Sequence, residues 1–244
     1  MSKTAIIIPA RYGSSRLEGK PLIEVLGKPI IQWVYEKAQQ SKLADIIIVA
    51  TDDERIFNTV TSFGGNVEMT STSHKCGSDR IREVVDRHPE ISYIVNLQGD
   101  EPLITPESID EVIKNVKDDA AADISTLVRP LNDENDINNP NLVKCVRDLN
   151  GFALYFSRSK IPYERNCGIA EFWGHLGIYG YKRNALLKMT SLPQSPLERT
   201  ESLEQLRALE NGMRIKTSVV DFVPVGIDTA DDLEKFKKIV ASKL

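Results

Sequence analysis

Cysteine is scarce: Cys76, Cys145 and Cys167 are three thiols in 244 residues. Their odd number, wide scatter and lack of C-x-x-C spacing argue against a disulfide framework or a cysteine zinc site. Histidine is equally thin, and His74, His88 and His175 lie too far apart for a compact motif such as H-E-x-x-H. No apolar run reaches the roughly 18 residues of a membrane span, and the N-terminus lacks the basic and apolar regions of a signal peptide. The expectation is a cytoplasmic protein with no membrane partner. Positive charge is not in excess: 31 Lys and Arg face 35 Asp and Glu, a net of −4. That balance argues against a nucleic-acid binder, which carries a basic face or stripe.

What the chain does have is alternation. Ala5–Ala10, Ile46–Asp52 and Tyr93–Gly99 read as strands, and the unbroken isoleucines of the first two suit a sheet buried on both faces. Helices are expected at Pro29–Gln40, with Pro at the first helical position, and at Asp53–Phe63, Gly77–Arg87 and Pro106–Val116. This βαβ order implies an α/β fold with a mostly parallel sheet and helices on both sides. The second half changes character: Ile124–Arg129, Lys144–Asp148, Ala153–Arg158, His175–Tyr181 and Ile215–Val220 are strand-like, while Arg199–Glu210 and Asp231–Ala241 look helical. The Asn- and Asp-rich stretch 132–141 reads as a surface loop rather than a linker. The whole of 1–244 is therefore expected to form a single α/β domain.

"IIIPARYGSSRLEGKP", Ile6 to Pro21, resembles a phosphate-binding loop and departs from one. A P-loop reads G-x-x-x-x-G-K-[ST]; here five residues separate Gly13 from Gly19, and Pro21 follows Lys20. The stretch still follows a buried strand, where open α/β sheets bind ligands. Over residues 1–28, Lys3, Arg11, Arg16, Lys20 and Lys28 outnumber Glu18 and Glu24, against the acidic average of the chain. Arg11 and Arg16 can grip phosphate oxygens in a bidentate fashion, with Lys20 as a mobile point charge. Gly13, Ser14 and Ser15 bring backbone N–H groups close to an anion. A polar surface loop with solvated arginines fits the same spacing; the strand in front and the Gly-Ser-Ser core favour binding.

Pro21 lacks the hydroxyl that holds the metal in P-loop enzymes, so a triphosphate enzyme built on this loop needs Mg²⁺ ligands elsewhere. Mg²⁺ takes hard oxygen donors, one or two carboxylates with substrate phosphates and water. Asp100, in "YIVNLQGDEPLI", and Asp228, in "VPVGIDTADDLEKF", lie in Gly-flanked turns beyond apolar runs and are the candidates. Each alone fits a cap or turn former as well. In "TSTSHKCGSDRIREVV", Gly77 and Ser78 could present backbone and hydroxyl groups to a base or ribose, or Ser78 could merely cap a helix.

The ordered blocks I-I-P-A-R-Y-G-S-S-R-L-E-G-K-P-L, A-T-D-D, C-G-S-D-R, N-L-Q-G-D-E-P, A-L-Y-F-S-R, H-L-G-I-Y-G-Y, L-E-Q-L-R and G-I-D-T resemble the CMP-KDO synthetase family, the 3-deoxy-manno-octulosonate cytidylyltransferases. The resemblance runs from about residue 4 to about residue 240. It implies a Rossmann-like nucleotidyltransferase fold, with a nucleotide-binding part of about 1–120 plus 221–244 and a strand-rich sugar-binding and dimerisation part of about 121–220. It also implies transfer of CMP from CTP to 3-deoxy-manno-octulosonate (KDO), with pyrophosphate released and Mg²⁺ as cofactor, activating KDO for lipopolysaccharide biosynthesis in a homodimer.

Residue by residue, the resemblance assigns Arg11, Arg16 and Lys20 to the triphosphate, with Pro9 and Ala10 beside the nucleotide. Gly77, Ser78 and Arg80 fall to cytidine recognition, and Asp100 and Asp228 to the metal; Arg11 and Lys20 join these aspartates as catalytic. Gln98, Arg158, His175, Tyr179, Glu204 and Gln205 fall to the acid sugar. Arg158 suits a carboxylate by bidentate geometry, and His175 and Tyr179, four apart, share one face of a strand. On pattern alone Glu204 is a solvated helix residue paired with Arg207. Two departures stand out: Glu18 replaces a usual Pro, and Cys76-Gly77-Ser78 replaces Ser-Gly-Thr. Two other readings remain: a cytidylyltransferase for another acid sugar, such as sialic acid or 8-amino-KDO, and a non-catalytic nucleotide-binding protein.

Overall fold

The computed structural model describes residues 2–13, 17–166, 168–221, 223 and 226–242. The chain forms two compact units, Met1–Asp110 with Pro224–Leu244, and Glu111–Val223.

The first unit is built on a parallel sheet. Strand β1 (Lys3–Ala10) lies between β4 (Ile46–Thr51) and β6 (Ile91–Asn96), and β4 pairs onward with β5 (Val67–Met69), all parallel. Ile6, Ile7 and Ile8 are all fully buried, as a strand covered on both faces requires. Between β1 and α1 (Ile30–Ala38) the chain makes one 3₁₀ turn (Lys20–Leu22) and a small antiparallel hairpin, β2 (Glu24–Val25) with β3 (Lys28–Pro29). Pro29 is the N-cap of α1 in extended conformation, not its first helical residue. Helices α2 (Glu54–Ser62) and α3 (Gly77–Arg87) fill the next two crossovers. Asp53 caps α2 by accepting from the Arg55 amide.

The chain returns to this unit with α9 (Ala230–Ala241), which opens on a capping box in which Thr229 and Asp232 satisfy each other's amides. Its Leu233, Phe236 and Val240 pack on Val25, Ile30 and Ile227, with the Trp33 ring edge-on to Phe236. That contact fixes the segment before the helix, including Asp228, against the start of the chain.

Helix α4 (Pro106–Asp118) leads into the second unit. There β7 (Ile124–Leu131) pairs parallel with β11 (Ile215–Val219) and antiparallel with the long β10 (Phe172–Lys182). β8 (Lys144–Arg147) pairs antiparallel with β10 and with β9 (Ala153–Ser157). The remaining helices are α5 (Glu134–Asn138), α6 (Arg183–Ser191), α7 (Pro196–Glu201) and α8 (Gln205–Glu210).

Two further expectations change. Residues 132–141 are not all loop, because Asp133 caps the short α5 by accepting from the Asn135 amide. The single helix expected over Arg199–Glu210 is two helices, broken at Ser202, which sits in the left-handed region at φ 53. α7 starts earlier than its apolar pattern suggested because Ser195 and Glu198 form a capping box with Pro196 just inside. Glu198 then pairs with Arg207, both buried, and so joins α7 to α8.

Candidate active site

In the first unit the turn after β1 delivers the groups expected to meet a triphosphate. Arg11 and Gly13 are exposed; Ser14, Ser15 and Arg16 lie outside the described residues. Gly19 adopts φ +65, a conformation that disfavours any Cβ, and a Cβ there would also meet the Tyr12 ring at 3.0 Å. The turn lets Pro21, whose missing N–H costs nothing at a helix start, open the 3₁₀ turn that carries Lys20 inward. Glu18 is exposed, and Asp53 is the first influence that raises the Arg55 pKa. That guanidinium stacks 3.3 Å over the Tyr12 ring.

Lys20 Nζ donates to Asp100 Oδ2 at 2.7 Å and to Asp228 Oδ1 at 3.1 Å. Two aspartates 128 positions apart in sequence thus meet on one ammonium. The Ile227 amide, donating to the Asp100 carbonyl at 2.9 Å, locks the two turns together. Glu101 was not expected. Burial, and then the charges of Asp100 and Asp228, push its pKa up to about 8, and its Oε2 is buried without a hydrogen-bond partner. Gly226 gives it room, since a Cβ there would lie 3.2 Å from Glu101 Oε1. The signal in sequence was an acid adjacent to Asp100, which on pattern alone reads as turn polarity.

The same unit holds a cavity of about 320 Å³, walled by Pro9–Arg11, by His74–Gly77, and by Arg80 and Gln98. Its size matches small-ligand sites, which begin near 300 Å³. Gly77 sits so close to Pro9 that a Cβ would fall 3.2 Å from the proline ring. Cys76, not Ser78, is the N-cap of α3, and Ser78 is a buried residue of the first turn. Arg80, 4% exposed, donates to Asp52 Oδ2 at 2.7 Å and to Thr70 Oγ1. Gln98 Nε2 donates to Asn96 Oδ1 at 2.8 Å.

The groups assigned to an acid sugar gather in the second unit, apart from Gln98. His175 and Tyr179 share one face of β10, ring centroids 5.3 Å apart, across a bulge that lets both pair near Thr126. Phe156 packs edge-on to His175 at 5.0 Å. Thr126 Oγ1 donates to the Ile178 carbonyl (2.7 Å) or that of Leu176 (3.0 Å), so its lone pair receives the proton on His175 Nε2 at 2.9 Å. Burial pushes the His175 pKa down to about 3. Burial, with the neighbouring Tyr181 and Glu204, raises that of Tyr179. Glu204 is the N-cap of α8, and Gln205, its first residue, is buried. Arg207 pairs with Glu198, because the break at Ser202 turns α7 against α8, and its amide donates to the Glu204 carbonyl at 3.0 Å. The Arg158 guanidinium spends three of its five N–H groups on carbonyls: Nε donates to that of Glu201 (2.7 Å), NH1 to that of Pro140 (3.1 Å) and NH2 to that of Ser202 (3.4 Å), which leaves one N–H on each of NH1 and NH2 not spent on these carbonyls.

The His175 shift has a measurable consequence. The folded pKa, about 3, lies below the unfolded 6.5, so the contribution to stability is complete above 6.5 and is lost as pH falls toward 3. In thermal melts between pH 7.5 and pH 4, His175→Leu is expected to flatten this acid-side loss relative to wild type. Parallel melting curves for the two proteins would show that His175 does not carry it.

Residues 5–215 match the cytidylyltransferase family. A 3-deoxy-manno-octulosonate cytidylyltransferase of Thermodesulfovibrio yellowstonii is 50% identical, covering 96% of this chain and 97% of that one. One from Fusobacterium nucleatum is 49% identical, with 94% and 93% covered. Among solved structures, a CMP:2-keto-3-deoxy-manno-octonic acid synthetase complexed with CTP superposes with a TM-score of 0.96 at 44% identity, covering 100% of both chains.

Proposed function

This chain belongs to the 3-deoxy-manno-octulosonate cytidylyltransferase family and is a nucleotidyltransferase, and from that premise we propose how its residues divide the reaction of CTP with KDO. The first unit takes CTP. The cavity walled by Pro9, Ala10, Gly77 and Arg80 receives the nucleoside, and Arg11, Arg16 and Lys20 hold the triphosphate. KDO recognition falls to His175, Tyr179, Glu204, Gln205 and Arg158 of the second unit, and Gln98 is the further residue assigned to the sugar.

The KDO 2-hydroxyl attacks the α-phosphorus of CTP in line. The new O–P bond forms as the bond to the β-phosphate oxygen breaks, pyrophosphate leaves, and the hydroxyl proton passes to solvent. Little covalent chemistry falls to the protein, so its contribution is positioning and charge neutralisation.

The observation that carries this reading is the single ammonium shared by Asp100 and Asp228. A cationic grip and two carboxylates converge at one point, which a pure binding site for a triphosphate does not need. Those carboxylates fit magnesium: they are hard oxygen donors, partly open to solvent, and already brought within one ammonium's reach. Among the described residues no three His, Cys, Asp or Glu side chains stand together as a metal set, so the remaining ligands would be substrate oxygens and water. Bound magnesium supplies charge neutralisation on the phosphates and a lowered pKa for the attacking hydroxyl.

The test is pyrophosphate release with each of the four nucleoside triphosphates against KDO, 8-amino-KDO and sialic acid, in magnesium buffer. Release with CTP and KDO alone is expected. Release with another acid sugar in preference to KDO would overturn the substrate assignment, and no release with any pair would leave a binding protein. Association into a homodimer belongs to the same reading and is read by sedimentation. No helix of the described residues is long and apolar enough to cross a membrane.

A further inference from the structure

The wall of the nucleotide cavity formed by His74–Cys76 is held in place from behind. Residues 69–76 run from the end of β5 to the start of α3, and one face of α3 grips them at three successive turns. Arg80 donates to Thr70 Oγ1, and Arg87 NH1 donates to the Met69 carbonyl at 2.8 Å. Between them, Glu83 Oε2 accepts from the Ser71 amide at 2.9 Å and from His74 Nε2 at 2.5 Å, while Oε1 accepts from Arg87. Positions 80, 83 and 87 share a helix face by their spacing. Burial works to raise the Glu83 pKa, and the Ser71, His74 and Arg87 donors outweigh it and hold the carboxyl below its ordinary value.

We propose that Glu83 is a positioning residue for the nucleotide: without facing the cavity itself, it sets where His74, Lys75 and Cys76 stand by clamping both Ser71 and His74 to α3. It is the member of the face that touches the segment at two points, so the segment's path depends on it more than on either neighbour. An exposed ion pair contributes little to stability, as with Arg82 and Asp86 at 3.5 Å on the same helix. Glu83 differs because its partners include the ring of His74 in the cavity wall and the Ser71 amide in the segment that leads to it, and its removal releases the wall rather than the fold.

The inference rests on the CTP reading of the cavity, and the experiment separates the two. CTP binding is measured by calorimetry on the wild-type full chain, then on Glu83→Ala, Glu83→Gln and Arg82→Ala, with KM for each substrate, kcat and melting temperature. Displacing a wall by about 1 Å costs on the order of 10- to 100-fold. Glu83→Ala is therefore expected to raise KM and Kd for CTP about 10-fold or more, with KM for KDO, kcat and the melting temperature near wild type. Glu83→Gln, which keeps an oxygen acceptor, recovers part of the loss, and Arg82→Ala changes nothing. Should Glu83→Ala fail to fold, Glu83→Gln carries the test through the same selective rise for CTP. Wild-type CTP binding with no change in the Glu83 variants overturns the proposal alone, as does an equal rise in KM for both substrates. Absence of CTP binding by the wild type overturns the cavity reading and the proposal together.

Discussion

Asp100→Asn lowers kcat by on the order of 10³-fold while leaving most CTP affinity in place. The substitution keeps the shape and removes one anionic charge, so of the two aspartates that the Lys20 ammonium donates to, Asp100 at 2.7 Å and Asp228 at 3.1 Å, it retains Asp228 as an anion. Triphosphate affinity rests on Arg11, Arg16 and Lys20 under the proposed division, and none of these is altered. The loss therefore falls on charge stabilisation during transfer, which lowers kcat and kcat/KM together. Asp228→Asn should behave alike, and the double variant should be little worse than either, because groups acting as one unit do not add. Stopped-assay kinetics with calorimetry of CTP binding decide it. A rate for Asp100→Asn within about tenfold of wild type would remove Asp100 from the reacting centre.

The same variant has an internal readout. The Asp100 charge is, after burial, the largest influence raising the Glu101 pKa, with Asp228 next. Neutralising position 100 therefore lowers the Glu101 pKa, and a carboxyl titration followed by infrared difference spectra should move down from about 8. An unmoved titration would place the two carboxyls too far apart to interact.

How much of this was legible beforehand differs by residue, for physical reasons. Isoleucine runs bounded by polar turns announce buried parallel strands, and β1 and β4 lie where those runs predict. α3 spans Gly77–Arg87 as its apolar periodicity indicated. β5 is three residues long with a central Glu, too short for a period to show. α6, with Ala185, Leu186 and Met189 buried, follows β10 directly, and no turn residue marks where one period replaces the other. The break at Ser202 needed a left-handed residue that carries no glycine to advertise it. For the site, Pro21 was informative: an absent hydroxyl directed attention to Asp100 and Asp228, and the structure sets both on Lys20. Glu101 and Glu83 escaped notice because what distinguishes each is a tertiary environment. One is an acid with a buried, unpartnered oxygen, the other an acid that holds a segment twelve positions away.

Lys144 is the extreme of that class, and the second large effect belongs to it. A lysine opening a strand reads as a solvated edge, yet Lys144 is 0% exposed. Its ammonium spends all three protons on carbonyls: Asn139 at 2.8 Å, Leu142 at 2.8 Å and Arg158 at 2.6 Å. Lys144→Met fills the space and supplies no donor. Three carbonyls lose this donor at once, that of Asn139 keeping a second one in the Leu142 amide at 3.2 Å, and each unsatisfied buried polar group costs about 1–3 kcal/mol. With partial relaxation the expected loss is about 3–5 kcal/mol, the range for breaking a buried charged interaction. For a chain of this length that lowers the melting temperature by roughly 10 °C. Lys144→Arg should not rescue, because the three carbonyls converge on one ammonium nitrogen, whereas a larger guanidinium spreads its donors outward in a plane. The damage should also be directional. Lys144 binds the carbonyl of Arg158 while Arg158 binds that of Pro140, so the two cations hold residues 139–142 between them. In variants still folded at assay temperature, KM for the acid sugar should therefore rise more than KM for CTP. A melting temperature within about 2 °C of wild type would mean that the carbonyls find other partners, and an equal rise in both KM values would mean that the loop does not govern the sugar side.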